Sequence, residues 1–240
     1  MSIDRIRALV LTDLRIARRD GEQLLLTLGL PLLLLVFFSS VDVLPTGDGD
    51  PVDFLTPGVL SLALLSVSFV RVAIGLGFDR SFGAIRRFAV TPLRASEFIT
   101  AKFVGTVVFF CAQLVVLAIV ALVLGWDPSL HPSIVAALAL GLIAFSALGI
   151  VVASVVEGLT SLALANTLYV LLLILSGLVF ELDTLPGWLG ALAKLLPSTA
   201  LAELLRSGFA GSNGAGWAWG TLMVWAAGAP LLALRLFRWE

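Results

Sequence analysis

Few residues of this sequence could do chemistry inside its apolar stretches, and Arg71 is the foremost of them. An arginine at membrane depth is costly, so it must snorkel to an interface, pair with an acid, or line a wet cavity. Phe78 is seven residues further on, roughly 10 Å at the helical rise, a span the long side chain largely bridges. Snorkelling, or a structural pair with Asp79 or Glu157, therefore competes with a place in a translocation path. Asn166 and Tyr169 are three residues apart and share a helical face, which makes them candidates to line the same path. Gln113, Ser146, Ser154, Thr167 and Ser176 supply milder polarity, suited either to helix–helix hydrogen bonds or to a path.

Other chemistries are excluded by what is missing from the sequence. It contains no G-x-x-x-x-G-K-[ST] loop, nor any Gly-Lys pair, so it has no recognisable means of cradling nucleotide phosphates in that way. It contains no H-E-x-x-H and no G-x-S-x-G. The single His131 and single Cys111 cannot form a zinc-type cluster; His131 reads as a loop residue and Cys111 as a small packing residue. Catalytic residues and bound metals are not expected, and nucleic acid is not an expected partner.

The elements that must position these residues are membrane helices. Hydrophobic residues make up 60% of the 240-residue chain and charged residues 13%, about half the charged share of an ordinary soluble domain. The expected fold class is an all-α integral membrane protein, a single domain over residues 1–240. Residues 1–23 carry Arg5, Arg7, Arg15, Arg18 and Arg19 opposite an apolar stripe, which describes an interfacial amphipathic helix with Ser2 as its cap and Asp4 in its first turn. Six spanning helices follow, at 24–41, 57–78, 103–124, 133–156, 160–180 and 217–237. Pro57 is expected in the first turn of the second, after an acidic loop at 42–56. Trp126 suits an interface, and Glu157, Gly158 and Leu159 are so short a link that the fourth and fifth spans should form a tight hairpin.

The longest polar interruption deep in the chain is 79–102, DRSFGAIRRFAVTPLRASEFITAK. Phe82, Ile85 and Phe88 recur three residues apart, with Arg80, Arg86 and Arg87 supplying charge, so the stretch reads as a short amphipathic helix. Thr91 and Pro92 should end it, and Ser96 should start the next helix with Glu97 in its first turn. With both termini in the cytoplasm, twelve of the fifteen basic residues lie inside; Lys194 and Arg206 are outside, and Arg71 is in the membrane. The positive-inside rule thus favours an N-in/C-in topology.

The segment 181–216 would then be external. Leu185, Trp188, Leu189, Leu192 and Leu196 fall on one helical face, Pro197 breaks the run, and Ser198 could cap a second short helix. Two such helices are too short to span a bilayer singly and should form a re-entrant or interfacial pair.

In this order and spacing, the chain resembles the ABC-2 type exporter permeases, the membrane subunits of drug-resistance and polysaccharide exporters. The resemblance covers nearly the whole length. It is carried by the amphipathic N-terminal helix, the six spans, the G-x-I-R-R-F-x-V-T-P-L-like stretch from Gly83 to Leu93, and the L-P-x-W-L … L-P-x-T pattern at Leu185 to Leu189 and Leu196 to Thr199.

The resemblance implies that 79–102 holds a coupling helix docking on a separate ATP-hydrolysing subunit, which would bind ATP and magnesium in place of this chain. Phe82, Ile85 and Phe88 would be apolar plugs, and Arg80, Arg86 and Arg87 their charged rim. It further implies a second permease subunit, identical or related, with the first and fifth helices near the interface and the path between them. The expected location is the plasma membrane, multi-pass, in a bacterium or archaeon. An apolar bundle without an aromatic-rich stripe inclines the expectation towards a hydrophobic drug-like or lipid substrate. The alternatives are a polysaccharide or lipid-linked glycan exporter, and a stand-alone secondary transporter or channel, for which the sequence offers few coupling-ion ligands.

Overall fold

The computed structural model describes residues 3–19, 21–40, 51–85, 95–175 and 186–237. Every element among them is helical: α1 (Ile3–Arg19), α2 (Gly21–Ser40), α3 (Pro51–Leu65), a π turn (Ser66–Val70), α4 (Arg71–Ser81), α5 (Ala95–Val123), α6 (Ser133–Val155), α7 (Gly158–Leu175), α8 (Gly187–Ala193), α9 (Pro197–Phe209) and α10 (Gly216–Leu236). Five helices are long and apolar enough to cross a membrane, or six if the bent pair of α8 and α9 is counted as one span. The first expected span falls in α2, a helix of 20 residues whose stretch Leu28–Ser39 is apolar.

The centre of the bundle is the continuous helix Pro51–Ser81, built from α3, the π turn and α4. Leu60, Leu62, Leu64, Leu65 and Val67 are almost wholly buried in it, because α9, α6 and α5 surround it. The helix starts six residues earlier than expected: Pro51, not Pro57, opens it, and Val52 and Leu55 are already in the core. Pro57 lies inside the helix and removes one backbone donor, and the hydroxyls of Thr56 and Ser61 bond back to the Val52 and Pro57 carbonyls at 2.7 and 2.9 Å.

Close approach sets the packing around this helix. A Cβ on Gly149 of α6 would lie 2.8 Å from the Phe69 carbonyl oxygen in the π turn, so only glycine lets the two backbones meet. Across α4, Gly77 faces Ser161 of α7, whose hydroxyl donates to the Ala73 carbonyl at 2.8 Å. The link between α6 and α7 is as tight as expected, with Gly158 at φ +52°. The two helices pack less on one another than on other elements, α6 most extensively on α10 and both of them on α4, so the tight link does not make them a simple hairpin.

The bent pair enters the bundle. The axes of α8 and α9 differ by 86°, and Leu201, Leu204 and Leu205 of α9 are fully buried against α3, α6 and α10. Ser198 is not the cap: Leu196 holds that position, Pro197 begins the helix, and Ser198 is buried. Trp126 is buried, its ring 4.8 Å from that of Phe209. The neighbouring backbone is tied to the end of α9, Ser129 and His131 donating to the Phe209 and Gly208 carbonyls. Cys111 faces outwards and packs in no core.

Candidate functional site

The expected coupling residues lie where α4 ends. Successive helical residues point about 100° apart, so Asp79 and Arg80 reach in different directions. Asp79 accepts from Lys102 of α5 at 3.3 Å, and the same Nζ is 2.8 Å from Asp13 of α1. Arg80 instead donates to the Ala153 carbonyl near the end of α6 at 2.9 Å, with its other Nη 3.7 Å from Glu157 in the α6–α7 link. A cation against the final carbonyls of a helix is favourable for the helix dipole. The last turn of α4 is thereby joined to α1 and α5 on one side and to α6 and α7 on the other.

Phe82 does not share a helical face with Ile85: Phe82 and Gly83 form a turn, Ala84 and Ile85 are helical again, and the rest of the expected short helix lies outside the described residues. Phe82 is the C-cap of α4, and Gly83 adopts φ +69°, a left-handed conformation that glycine takes without strain. The bend separates Phe82 from Ile85. Phe82 is 75% exposed and stacks on Phe78 at 5.8 Å, whereas Ile85 is 1% exposed and packs with Leu76, Phe98 and Ile150. Ile85 is therefore an anchor to the chain's own core and not a plug open to a partner. Arg80 is engaged within the bundle, and Arg86, Arg87 and Phe88, with Thr91 and Pro92, lie outside the described residues. Ser96 is exposed in the first turn of α5, which begins at Ala95, eight residues before the expected span.

The three path candidates are not brought together. Arg71 lays its guanidinium over the Phe109 ring of α5, 4.6 Å from the centroid. It pairs with neither Asp79 nor Glu157: among the described residues no carboxylate is within 4.0 Å of it. It lines a chamber of about 150 Å³ with Asp13, Asp79 and Lys102. Asn166 and Tyr169 are on α7, where Asn166 is exposed on the outer face and Tyr169 is buried, its hydroxyl without a hydrogen-bond partner among the described residues. Gln113 and Ser146 are buried, and Ser154 bonds back to the Ile150 carbonyl at 2.7 Å.

Asp13 and Lys102 are members that the sequence reading did not single out, and it gave Glu97 only as a first-turn acid. Glu97 is 3.7 Å from Arg5, so α1 is pinned along α5 at two points instead of only lying on a surface. The available signal was Asp13, an acid at the centre of a predominantly basic helix, and Lys102, a cation carried into an apolar run.

Residues 4–210 match the family described as ABC-2 type transporter. One relative, ABC transporter G family member 20 of Dictyostelium discoideum, is 28% identical over 180 residues, which covers 68% of this chain and 23% of the relative. The chain thus spans under a quarter of that protein's length.

Proposed function

Because the chain belongs to the ABC-2 type transporter family, we propose that it is the permease subunit of an ATP-binding-cassette exporter, moving a hydrophobic or amphipathic substrate, drug-like or lipid, out of the cytoplasm. A separate ATPase subunit binds ATP and magnesium and performs the hydrolysis; this chain is not itself an enzyme. Two permease subunits form the path, and both termini face the cytoplasm of a bacterial or archaeal cell, whose plasma membrane the chain spans.

The observation that carries the docking half of this reading is Phe82. A phenylalanine left 75% exposed at the end of the central helix, beside a neighbour anchored at 1% exposure, is an apolar knob on a rigid support. Force applied there enters α4 directly, and the ties of Asp79 and Arg80 pass it to α1, α5, α6 and α7. No phosphate loop occurs in the sequence, which fits energy arriving from another component.

The test is co-purification. Phe82→Asp should abolish recovery of the ATPase while the permease still inserts and unfolds at its normal temperature. Ile85→Asp should instead lower the yield of folded permease, because it buries a charge in the chain's own core. A stoichiometric complex retained by Phe82→Asp would overturn the docking role. Export driven by an ion gradient alone, with no ATPase present, would overturn the wider reading.

A further inference from the structure

The charged chamber at the end of α4 adjoins a second, apolar cavity. This cleft, of about 300 Å³, lies between α5 and α10 with α6 and Val72 as its floor. The two cavities share Val72, Ile99, Lys102, Thr106 and Ile150, so they lie side by side, one polar and one apolar. On α5 both cavities are lined over Ile99 to Thr106, and on α6 the cleft runs on from Ile150, which lines both, to Ile143. Seven residues at the helical rise make the cleft roughly 10 Å long, directed towards the middle of the spans. Ile143 and Leu234, 36% and 65% exposed, form its rim on the outer apolar face.

From this shape and charge we infer that the chain binds one membrane phospholipid with a primary-amine head, its head in the chamber and the first part of one acyl chain in the cleft. The chamber holds two cations, Arg71 and Lys102, and two carboxylates, Asp13 and Asp79. That balance complements a zwitterion and not a net anion. Lys102 takes one oxygen of each carboxylate, leaving the second oxygen of each for an ammonium donor. Arg71, held only by the Phe109 ring among the described residues, presents its fork to a phosphate. A quaternary ammonium has no N–H to donate and matches these acceptors less well.

A third group fits the same occupant. Ser146 lines the cleft, is 3% exposed, and has no hydrogen-bond partner for its hydroxyl among the described residues. Its position four residues before Ile150 places it roughly 6 Å further from the head chamber, at the depth of an acyl ester. The Ser146 hydroxyl donates to that ester carbonyl, which removes the cost of a buried unpaired polar group. Binding of this kind does not require that the chain export anything.

The experiment uses the full chain in phosphatidylcholine vesicles containing a trace of phosphatidylethanolamine with a photoactivatable acyl chain. Labelling is expected on the cleft-lining residues of α6 and on Pro230, Ala233 and Leu234 of α10, and excess unlabelled phosphatidylethanolamine should compete better than phosphatidylcholine or phosphatidylglycerol. Ile143→Trp, at the rim where added bulk is tolerated, should lower labelling about tenfold by filling the cleft. Leu231→Trp, on the exposed face of α10, should leave it unchanged. Arg71→Gln should erase the preference for phosphatidylethanolamine. Labelling spread over the exposed faces of α5, α7 and α10, or equal competition by the three lipids, would overturn the site. Stronger competition by phosphatidylglycerol would overturn the zwitterionic assignment.

Discussion

At the scale of single residues, the decisive group is Lys102, which holds two carboxylates from two other helices. Its side chain is 27% exposed, so solvent weakens the attraction, yet removing the cation leaves Asp13 and Asp79 facing one another uncompensated. Lys102→Met should lower stability by about 1–3 kcal/mol, read from denaturation in detergent micelles. Adding Asp13→Asn should restore part of that loss, because the double variant no longer buries opposed anions. Equal losses for the single and double variants would show that the pair is uncoupled. Such a contact was not legible in the sequence: Asp13 and Lys102 are 89 positions apart, and no periodicity relates them. Arg71 was legible, as an arginine in an apolar run, but its partner was not, since cation–π contact with Phe109 leaves no charge signature. Phe82 and Ile85 show the opposite failure, in which a true spacing of three was read as one helical face. The intervening Gly83 turns the chain and sends the two side chains to different environments.

At the scale of elements, hydropathy alone pointed to long apolar helices, because a bilayer demands helices with internally satisfied backbones, and five or six helices among the described residues are long and apolar enough to cross one. What it could not locate were features that depend on contact. The start of α3 at Pro51 follows from Val52 and Leu55 reaching the core, and the burial of α9 follows from its packing between α3, α6 and α10. The π turn Ser66–Val70 has no sequence signature, yet its Phe69 carbonyl is what Gly149 closely approaches. Gly149→Val should therefore be costly. Its Cβ would meet backbone oxygen at 2.8 Å, which cannot rotate aside as a side-chain tip could, so α6 would have to shift from the central helix. The expected loss is about 1–3 kcal/mol, seen as a lower thermal transition of the purified permease. Gly75→Ala is the matched control, since nothing lies within 4 Å of the added methyl group, and it should unfold at the temperature of the parent.

For the whole molecule, the central helix connects the two ends that the proposed export would have to coordinate. Pro51–Ser81 is 31 residues long, roughly 46 Å at the helical rise. It packs on the inserted helix α9 towards one end and presents Phe82 at the other. A rigid rod of this kind transmits displacement only if its driven end is tied to the helices that must move with it, and Arg80 provides that tie to the α6–α7 turn. If the proposed function holds, Arg80→Gln separates docking from transmission. The glutamine is too short to keep both the Ala153 carbonyl and Glu157, while Phe82 and its anchor at Ile85 are untouched. The complex should therefore still assemble and hydrolyse ATP, but export per ATP should fall about tenfold, as expected for the loss of a charged hydrogen-bonding pair worth one to two kcal/mol in coupling. Flux and hydrolysis measured on the same vesicles give that ratio directly. An unchanged ratio would place transmission elsewhere, through the Asp79–Lys102–Asp13 side of the same turn, where Asp79→Asn would then be the variant that uncouples.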